Sequence, residues 1–260
     1  MQVSLLAIPG IPMVKPGDDL GALIHEAVQA AGMSFQDDDI LVVAQKVVSK
    51  AENRLVCLDQ VVPSPRAQEL AGITGKDAQL IQVILDESNE VLKVRSGLIV
   101  VEQRLGFVCA NAGVDRSNIQ QADGGEVVAL LPEDADASAR QLRARIEDLT
   151  GRHIAVIIND SHGRAFREGT VGVALGVAGL RALQDRRGEP DLFGYRLQIT
   201  EVGFADEVSA AASMVMGQAD EAAPAVIVRG LPYTAGEGSA LELARSKEKD
   251  MFRYSGPQKG

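Results

Sequence analysis

Apolar runs of four to eight residues, broken by clusters of Gly, Pro and Asp, set the rhythm of this chain. Val3 to Ile8 reads as a short strand that stops at the Pro9-Gly10 turn. Asp18 is the N-cap expected for a helix over Leu20 to Ala31, closed by Gly32. Ile40 to Ala44, a continuous apolar run after three Asp residues, predicts a buried strand. Pro63 and Pro65 interrupt the chain, and helical patterns follow over Arg66 to Ala71 and Lys76 to Asp86. Val91–Val94 and Leu98–Glu102 read as two strands of a hairpin turning near Ser96-Gly97.

The clearest helix runs from Ala137 to Thr150, with acidic residues before it, arginines inside it and Gly151 as its stop. Ile154 to Ile158 is a buried strand that ends in a polar loop, Asn159 to Gly169. A glycine-rich apolar stretch, Gly172 to Gly179, comes next. Asp206 to Met216 predicts a helix, Ala225 to Arg229 a strand, and Ala240 to Met251 a charged terminal helix. Strands and helices mix without a regular βαβ alternation. The expected class is therefore α/β or α+β, with mixed sheets and helices in two intimately connected subdomains whose boundary no linker marks.

Composition narrows the function classes. The 260 residues are 46% hydrophobic, with a net charge of −10, which argues against a general nucleic-acid partner. No stretch of 18 apolar residues occurs, and the first ten residues lack the basic-then-apolar order of a secretory signal, so a cytoplasmic protein without a membrane span is expected. Cys57 and Cys109 are far apart and read as free, buried thiols in a reducing compartment. The three histidines, His25, His153 and His162, are too scattered for a soft-metal site, so any metal would fall to carboxylates, which suits magnesium or manganese. Gly72 to Asp77 imitates a P-loop but lacks the four-residue gap and the Ser/Thr after Lys76, and reads as a helix-entry turn. Gly172 to Gly179 is not a dinucleotide fingerprint either, so neither a Rossmann nor a P-loop fold is expected.

Two segments carry candidate chemistry. Gly106 to Asn118 runs from an apolar strand into small residues and then presents Asp115, Ser117 and Asn118. Asn159 to Gly169 sets Asp160 and Ser161 beside Arg164 and Arg167. Carboxylates at strand ends can hold a divalent cation against phosphate oxygens, and arginines can neutralise the remaining charge. Adjacent strands of one sheet would bring both aspartates to a common edge. The same aspartates also suit plain loop caps, and the arginines surface ion pairs.

These two segments, together with Ile11-Pro12-Met13-Val14 before Gly17-Asp18-Asp19-Leu20, Val43 to Glu52, Gly172 to Gly179, Asp185 to Gly188 and Met216 to Glu221, resemble the coenzyme F420-0:γ-glutamyl ligase family in order along nearly the whole chain. The resemblance implies an amide-bond ligase that joins L-glutamate to the deazaflavin acid F420-0 at the expense of GTP, through an acyl phosphate, and extends a γ-linked glutamate tail. It places GTP along Ile11, Pro12, Met13, Val14, Gln45, Lys50 and Asn118, with Met216, Gly217 and Gln218 closing over it. Asp115 and Asp160 would hold one Mg²⁺ or Mn²⁺ and Ser161 and Gln218 a second, with K⁺ as a further ion; Arg164 and Arg167 would meet the anionic acceptor. The resemblance further implies a homodimer, and the chain length a stand-alone ligase without the flavin-binding domain of some relatives.

The chain departs from the family pattern at Ser161, His162, Ala165 and Phe166, where Thr, Phe and a Pro-Trp pair are often found, and at Gln45, where a small hydroxyl residue can occur. Two other functions compete: the same chemistry on a different acid and amine, or a nucleotide-binding regulatory module without turnover. The first differs in its substrates, the second in releasing no GDP or phosphate.

Overall fold

A computed structural model describes residues 1–121, 125–251 and 253. In chain order the elements are β1 (Ser4–Ala7), α1 (Leu20–Ala30), β2 (Ile40–Ala44), α2 (Gln45–Ala51), β3 (Leu55–Cys57), α3 (Pro65–Thr74) and α4 (Ala78–Asp86). Next come β4 (Ser88–Arg95), β5 (Leu98–Gln103), β6 (Val108–Ala110), β7 (Val127–Ala129), α5 (Ala135–Thr150), β8 (Ala155–Arg164) and β9 (Arg167–Ala178). The last are β10 (Gln184–Asp185), β11 (Glu201–Val202), α6 (Phe204–Met216) and β12 (Ala225–Arg229). They divide into two compact units, one of Met1–Val56 with Ala129–Ala240, the other of Cys57–Val128 with Leu241–Gly260. The fold is a mixed α/β arrangement of several sheets and helices, as the pattern predicts, and neither Rossmann nor P-loop.

The first unit is built on a five-stranded sheet in the order β1-β12-β2-β8-β9. β2 and β8 run parallel, and the other neighbours are antiparallel. Alternation along the strands supplies two apolar faces. Leu41, Val43, Val156 and Ile158 join Ile24, Val28, Leu142 and Ile146 of α1 and α5 in one core cluster. Ile40, Val42, Ile157, Val226 and Val228, equally buried, point the other way, and α6 packs on β9, β1, β12 and β8. The result is a three-layer α/β/α unit.

A bulge sets the phase of β9. Ile158 pairs with Gly176 but Asn159 pairs with Ala174, so Leu175 is the extra residue. Gly176 therefore lies under the start of α5, where an added Cβ would strike the Ala135 carbonyl, whereas Gly172 lies under α6, where an added Cβ would come within 2.5 Å of the Ser209 carbonyl oxygen. Two N–H groups beside the bulge are taken by first-turn aspartates of the two helices: Val177 donates to Asp136 at 2.8 Å and Ala174 to Asp206 at 2.9 Å.

In the second unit α3 and α4 accompany the β4-β5-β6 sheet, with Leu70, Ile81, Ile84, Ile99 and Val101 buried. Several expectations are corrected. The helix over Leu20–Ala30 is capped by Asp19, which accepts from Ala22, while Asp18 accepts from Lys15 in the preceding turn. The terminal helix is absent: Ala240–Leu243 and Lys247–Lys249 form separate 3₁₀ turns. That stretch offers no apolar stripe to bury, and its charges instead reach the sheet, where Lys247 and Arg253 both pair with Glu102. Gly72 to Asp77 is the end of α3, closed by left-handed Gly75, and the approach to α4.

Candidate active site

The polar segment expected as a loop is a hairpin. β8 continues past its apolar part through Asn159, Asp160, Ser161, His162 and Gly163 to Arg164, and returns from Arg167 as β9. Beyond buried Asn159, backbone pairing rather than apolar burial keeps these residues extended, and for that reason hydrophobic periodicity misses them. Alternation then divides the motif. Asn159 and Ser161 share the face of Gly172, beneath α6, while Asp160, His162 and Arg164 share the other. Asp160 and Ser161, adjacent in sequence, thus point to opposite sides of the strand. His162 Nε2 and Asp160 Oδ2 lie 3.1 Å apart with both side chains half-buried.

Asn159 links this strand to the end of α6. Its Nδ2 donates to Ser213 Oγ at 3.1 Å and approaches Met216 Sδ at 3.6 Å, and its buried Oδ1 has no partner among the described residues. Met216 itself is buried, and Gly217 and Gln218 lead out of the helix to an exposed turn. There the Glu221 carboxylate folds over Gly217 and accepts from the Ala219 N–H at 2.7 Å. That N–H, with those of Glu221 and Gln218, holds the carboxyl below its ordinary pKa. Asp206, at the start of α6, behaves oppositely. Burial raises its pKa, while the Ala174 N–H and the His162 ring oppose the rise.

The end of β2 feeds directly into α2, a helix the sequence pattern does not announce. Gln45 is 3% exposed, with its side-chain oxygen accepting from Ser49 Oγ at 2.9 Å. Lys50, one turn on, is also buried, and burial first, then Lys46, lowers its pKa. A buried ammonium of this kind suits an anionic visitor. Of the loop after β1, Val14 is anchored in the core, Ile11 is half-buried, and Pro12 and Met13 face solvent.

Asp115 and Asn118 belong to the second unit. Asp115 follows β6 of the three-stranded sheet, whereas Asp160 lies in β8 of the five-stranded one, so the expectation of adjacent strands in one sheet is overturned. Both carboxylate oxygens of Asp115 accept from Ser117, at 2.8 and 3.1 Å. The approach is backbone-strained: Asn111, Ala112 and Gly113 are consecutively left-handed, and Asn118 is as well. Such strain costs of order 1–3 kcal/mol per non-glycine residue and gathers at functional segments. Arg164 Nη2 donates to the Glu168 carbonyl at 3.0 Å, and Arg167 is exposed.

Among the described residues no three His, Cys, Asp or Glu side chains converge as a ready-made metal cage. Mg²⁺ and Mn²⁺ do not need one, since they commonly take one or two carboxylates and complete the shell with phosphate oxygens and water. Asp160 and Ser161 offer oxygen donors of the right hardness.

Comparison with known proteins is decisive for kinship. The F420-0:Gamma-glutamyl ligase family matches residues 10–230. The chain belongs to that family. The coenzyme F420:L-glutamate ligase of Methanothermobacter thermautotrophicus is 49% identical over 255 residues, covering 97% of this chain and 100% of that protein. Those of Methanocaldococcus jannaschii and Archaeoglobus fulgidus are 46% and 44% identical, covering 94% and 97% of this chain and the same shares of their own lengths. The family match spans every candidate from Ile11 to Gln218. Asn159 and Asp206 are additions that only the structure singles out. A polar residue at an inward strand position was the available signal for Asn159.

Proposed function

We propose that this chain is the GTP-dependent ligase that joins L-glutamate to F420-0 and extends the γ-linked tail. The near-complete alignment with relatives named coenzyme F420:L-glutamate ligase carries the proposal. In this reading the acceptor carboxylate attacks the γ-phosphorus of GTP. The bond to the β-phosphate oxygen breaks, GDP leaves, and an acyl phosphate forms. The glutamate amine then attacks the acyl carbon, phosphate departs with the C–O bond pair, and the nitrogen loses its proton to give the amide.

The protein's part is positioning and charge stabilisation. Lys50 supplies a positive charge to the phosphates; Ile11–Val14, Gln45 and Asn118 contact the nucleotide, with Met216–Gln218 over it. Asp160 and Asp115 serve as carboxylate ligands for Mg²⁺ or Mn²⁺, with Ser161 and Gln218 toward a second ion and K⁺ as a further one. Arg164 and Arg167 meet the anionic acceptor. The bound metals neutralise charge on the transferring phosphoryl group. The opposite orientations of Asp160 and Ser161 fit two separate ions better than a single one shared by both. Protein mixed with F420-0, L-glutamate, GTP and Mn²⁺ should yield products heavier by whole glutamyl units; GDP release without such products would refute the proposal.

The same reading makes the protein a cytoplasmic homodimer. No helix among the described residues is long and apolar enough to cross a membrane, and Cys57 and Cys109 are free thiols. The ribbon between β10 and β11 exposes Leu192, Phe193, Tyr195 and Ile199, an apolar tip of the kind that self-association covers. Phe193→Asp should halve the mass in solution; an unchanged mass would exclude this tip as the contact, and cell fractionation checks the compartment.

A further inference from the structure

Alternation along β8 puts Ile157, Asn159 and Ser161 in succession on the face beneath α6. Ile157 is fully buried and Asn159 is 5% exposed, so an amide stands where the apolar run could have continued. The helix meets it with polar groups of its own, since Ser209 and Ser213, one turn apart, are buried on the side of α6 that lies over Gly172. In this seam Asn159 Oδ1 and Ser209 Oγ have no hydrogen-bond partner among the described residues. A buried oxygen in that position carries its whole desolvation cost, which an apolar side chain of the same shape would not. Packing alone would favour an apolar residue at 159.

The amide supplies what apolar contact lacks, which is direction. Asn159 Nδ2 reaches Ser213 Oγ at 3.1 Å and Met216 Sδ at 3.6 Å, so the strand holds α6 at two points of its last turn. Gly172 lets the helix come close enough for this, because a Cβ there would strike the Ser209 carbonyl, Ser213 Oγ and Asn159 Oδ1 together. Beyond these contacts both segments turn to solvent. Ser161, two residues past Asn159 on the same face, is exposed, and so is Gln218, two residues past Met216.

Resting on the ligase reading above, in which Ser161 and Gln218 serve the second divalent ion, we infer that Asn159 is a positioning residue for that ion. Its amide fixes the end of α6 against β8 and so sets the Ser161 hydroxyl and the Gln218 side chain at one separation. Mg²⁺ tolerates little departure from octahedral geometry, so a small displacement of the helix end is felt as lost affinity. Asp160 points to the opposite side of the strand, so the ion it serves is independent of this contact. Partners that orient metal ligands typically contribute about 10- to 100-fold to metal affinity.

The test uses Asn159→Leu, close in size but without the amide, and Ser213→Ala, which removes the partner from the helix side. Mn²⁺ is titrated into protein saturated with a non-hydrolysable GTP analogue, without acceptor or glutamate, and counted by electron paramagnetic resonance. Wild type should bind two ions. Asn159→Leu should keep one at wild-type affinity and bind the other about 10- to 100-fold more weakly, with the metal-free protein melting close to wild type. Ser213→Ala should weaken the same ion, and the double variant should be no weaker than Asn159→Leu alone. Both ions bound as tightly by the two variants as by wild type overturns the inference and leaves the ligase reading standing. Equal weakening of both ions, the mark of a generally loosened hairpin, overturns it as well. Should Asn159→Leu not fold, Ser213→Ala decides alone, and wild-type affinity for both ions in that variant overturns the inference. A wild type that extends F420-0 with a single Mn²⁺ bound removes the second ion and this inference with it. A wild type that makes no glutamyl product overturns the ligase reading itself, on which the inference rests.

Discussion

Gly172→Ala tests whether the β9 bulge and α6 together place the end of that helix. The added methyl would lie 2.5 Å from the Ser209 carbonyl and 2.6 Å from Asn159 Oδ1, with Ser213 Oγ closer still. Ser213 can rotate away, but Ser209 contributes backbone and cannot. Ordinary contact starts near 3.4 Å, so α6 must withdraw by about 1 Å. Overpacking of this kind costs about 1–3 kcal/mol, which for a chain of this size lowers the melting temperature by roughly 2–10 °C. Because α6 ends at Met216, a shift of about 1 Å there should also reduce kcat/KM for GTP, by up to about a hundredfold. Gly176→Ala, which meets the Ala135 carbonyl from the other face, should destabilise at least as much without the same loss in GTP use. Gly163→Ala in the same hairpin meets nothing within 4 Å and serves as the control. Calorimetric melts and GTP kinetics on the three variants decide the matter. A Gly172→Ala protein that melts and turns over like Gly163→Ala would show that the close approach of α6 is not required.

Lys50→Met should melt no lower than wild type. Burial depresses the Lys50 pKa, so its charge is penalised throughout the neutral range and the penalty fades only as pH climbs from the depressed value to the ordinary 10.5. Its GTP affinity should fall by about 10- to 100-fold, as for a lost charge-assisted hydrogen bond; calorimetry giving unchanged affinity would remove Lys50 from the site. Exhaustive EDTA treatment followed by gel filtration should abolish turnover, with Mn²⁺ restoring it, and Asp160→Asn should weaken Mn²⁺ binding read by electron paramagnetic resonance; full activity of the stripped protein would contradict the metal requirement. At the base of the exposed ribbon, the Arg187 guanidinium holds Asp185 at about 2 instead of 3.8. The pairing is therefore complete above 3.8 and lost as pH falls toward about 2, and NMR titration of Arg187→Gln should find the Asp185 carboxyl returned to its ordinary range.

Legibility along the chain followed local physics. Continuous apolar runs such as Ile40–Ala44 and Ala225–Arg229 declare buried strands because a segment covered on both faces can carry nothing else. Acidic residues before Ala135–Thr150 and Gly151 after it mark a helix whose ends the backbone itself must satisfy. The motifs at Asp115 and Asp160 were likewise visible, since chemistry-bearing residue types and order survive without coordinates. Where burial gives no signal, the pattern is silent. The Asn159–Gly169 segment is extended by cross-strand hydrogen bonds while its side chains are largely polar and, beyond buried Asn159, half-buried or exposed, and α2 is too short to show a period. Only tertiary structure decided that Asp160 and Ser161 face opposite ways, that Asp115 stands in another sheet, and that Asn159 joins β8 to α6. Each of these depends on strand phase, on a single extra residue at Leu175, or on pairing between segments distant in sequence, and a local pattern carries none of that information.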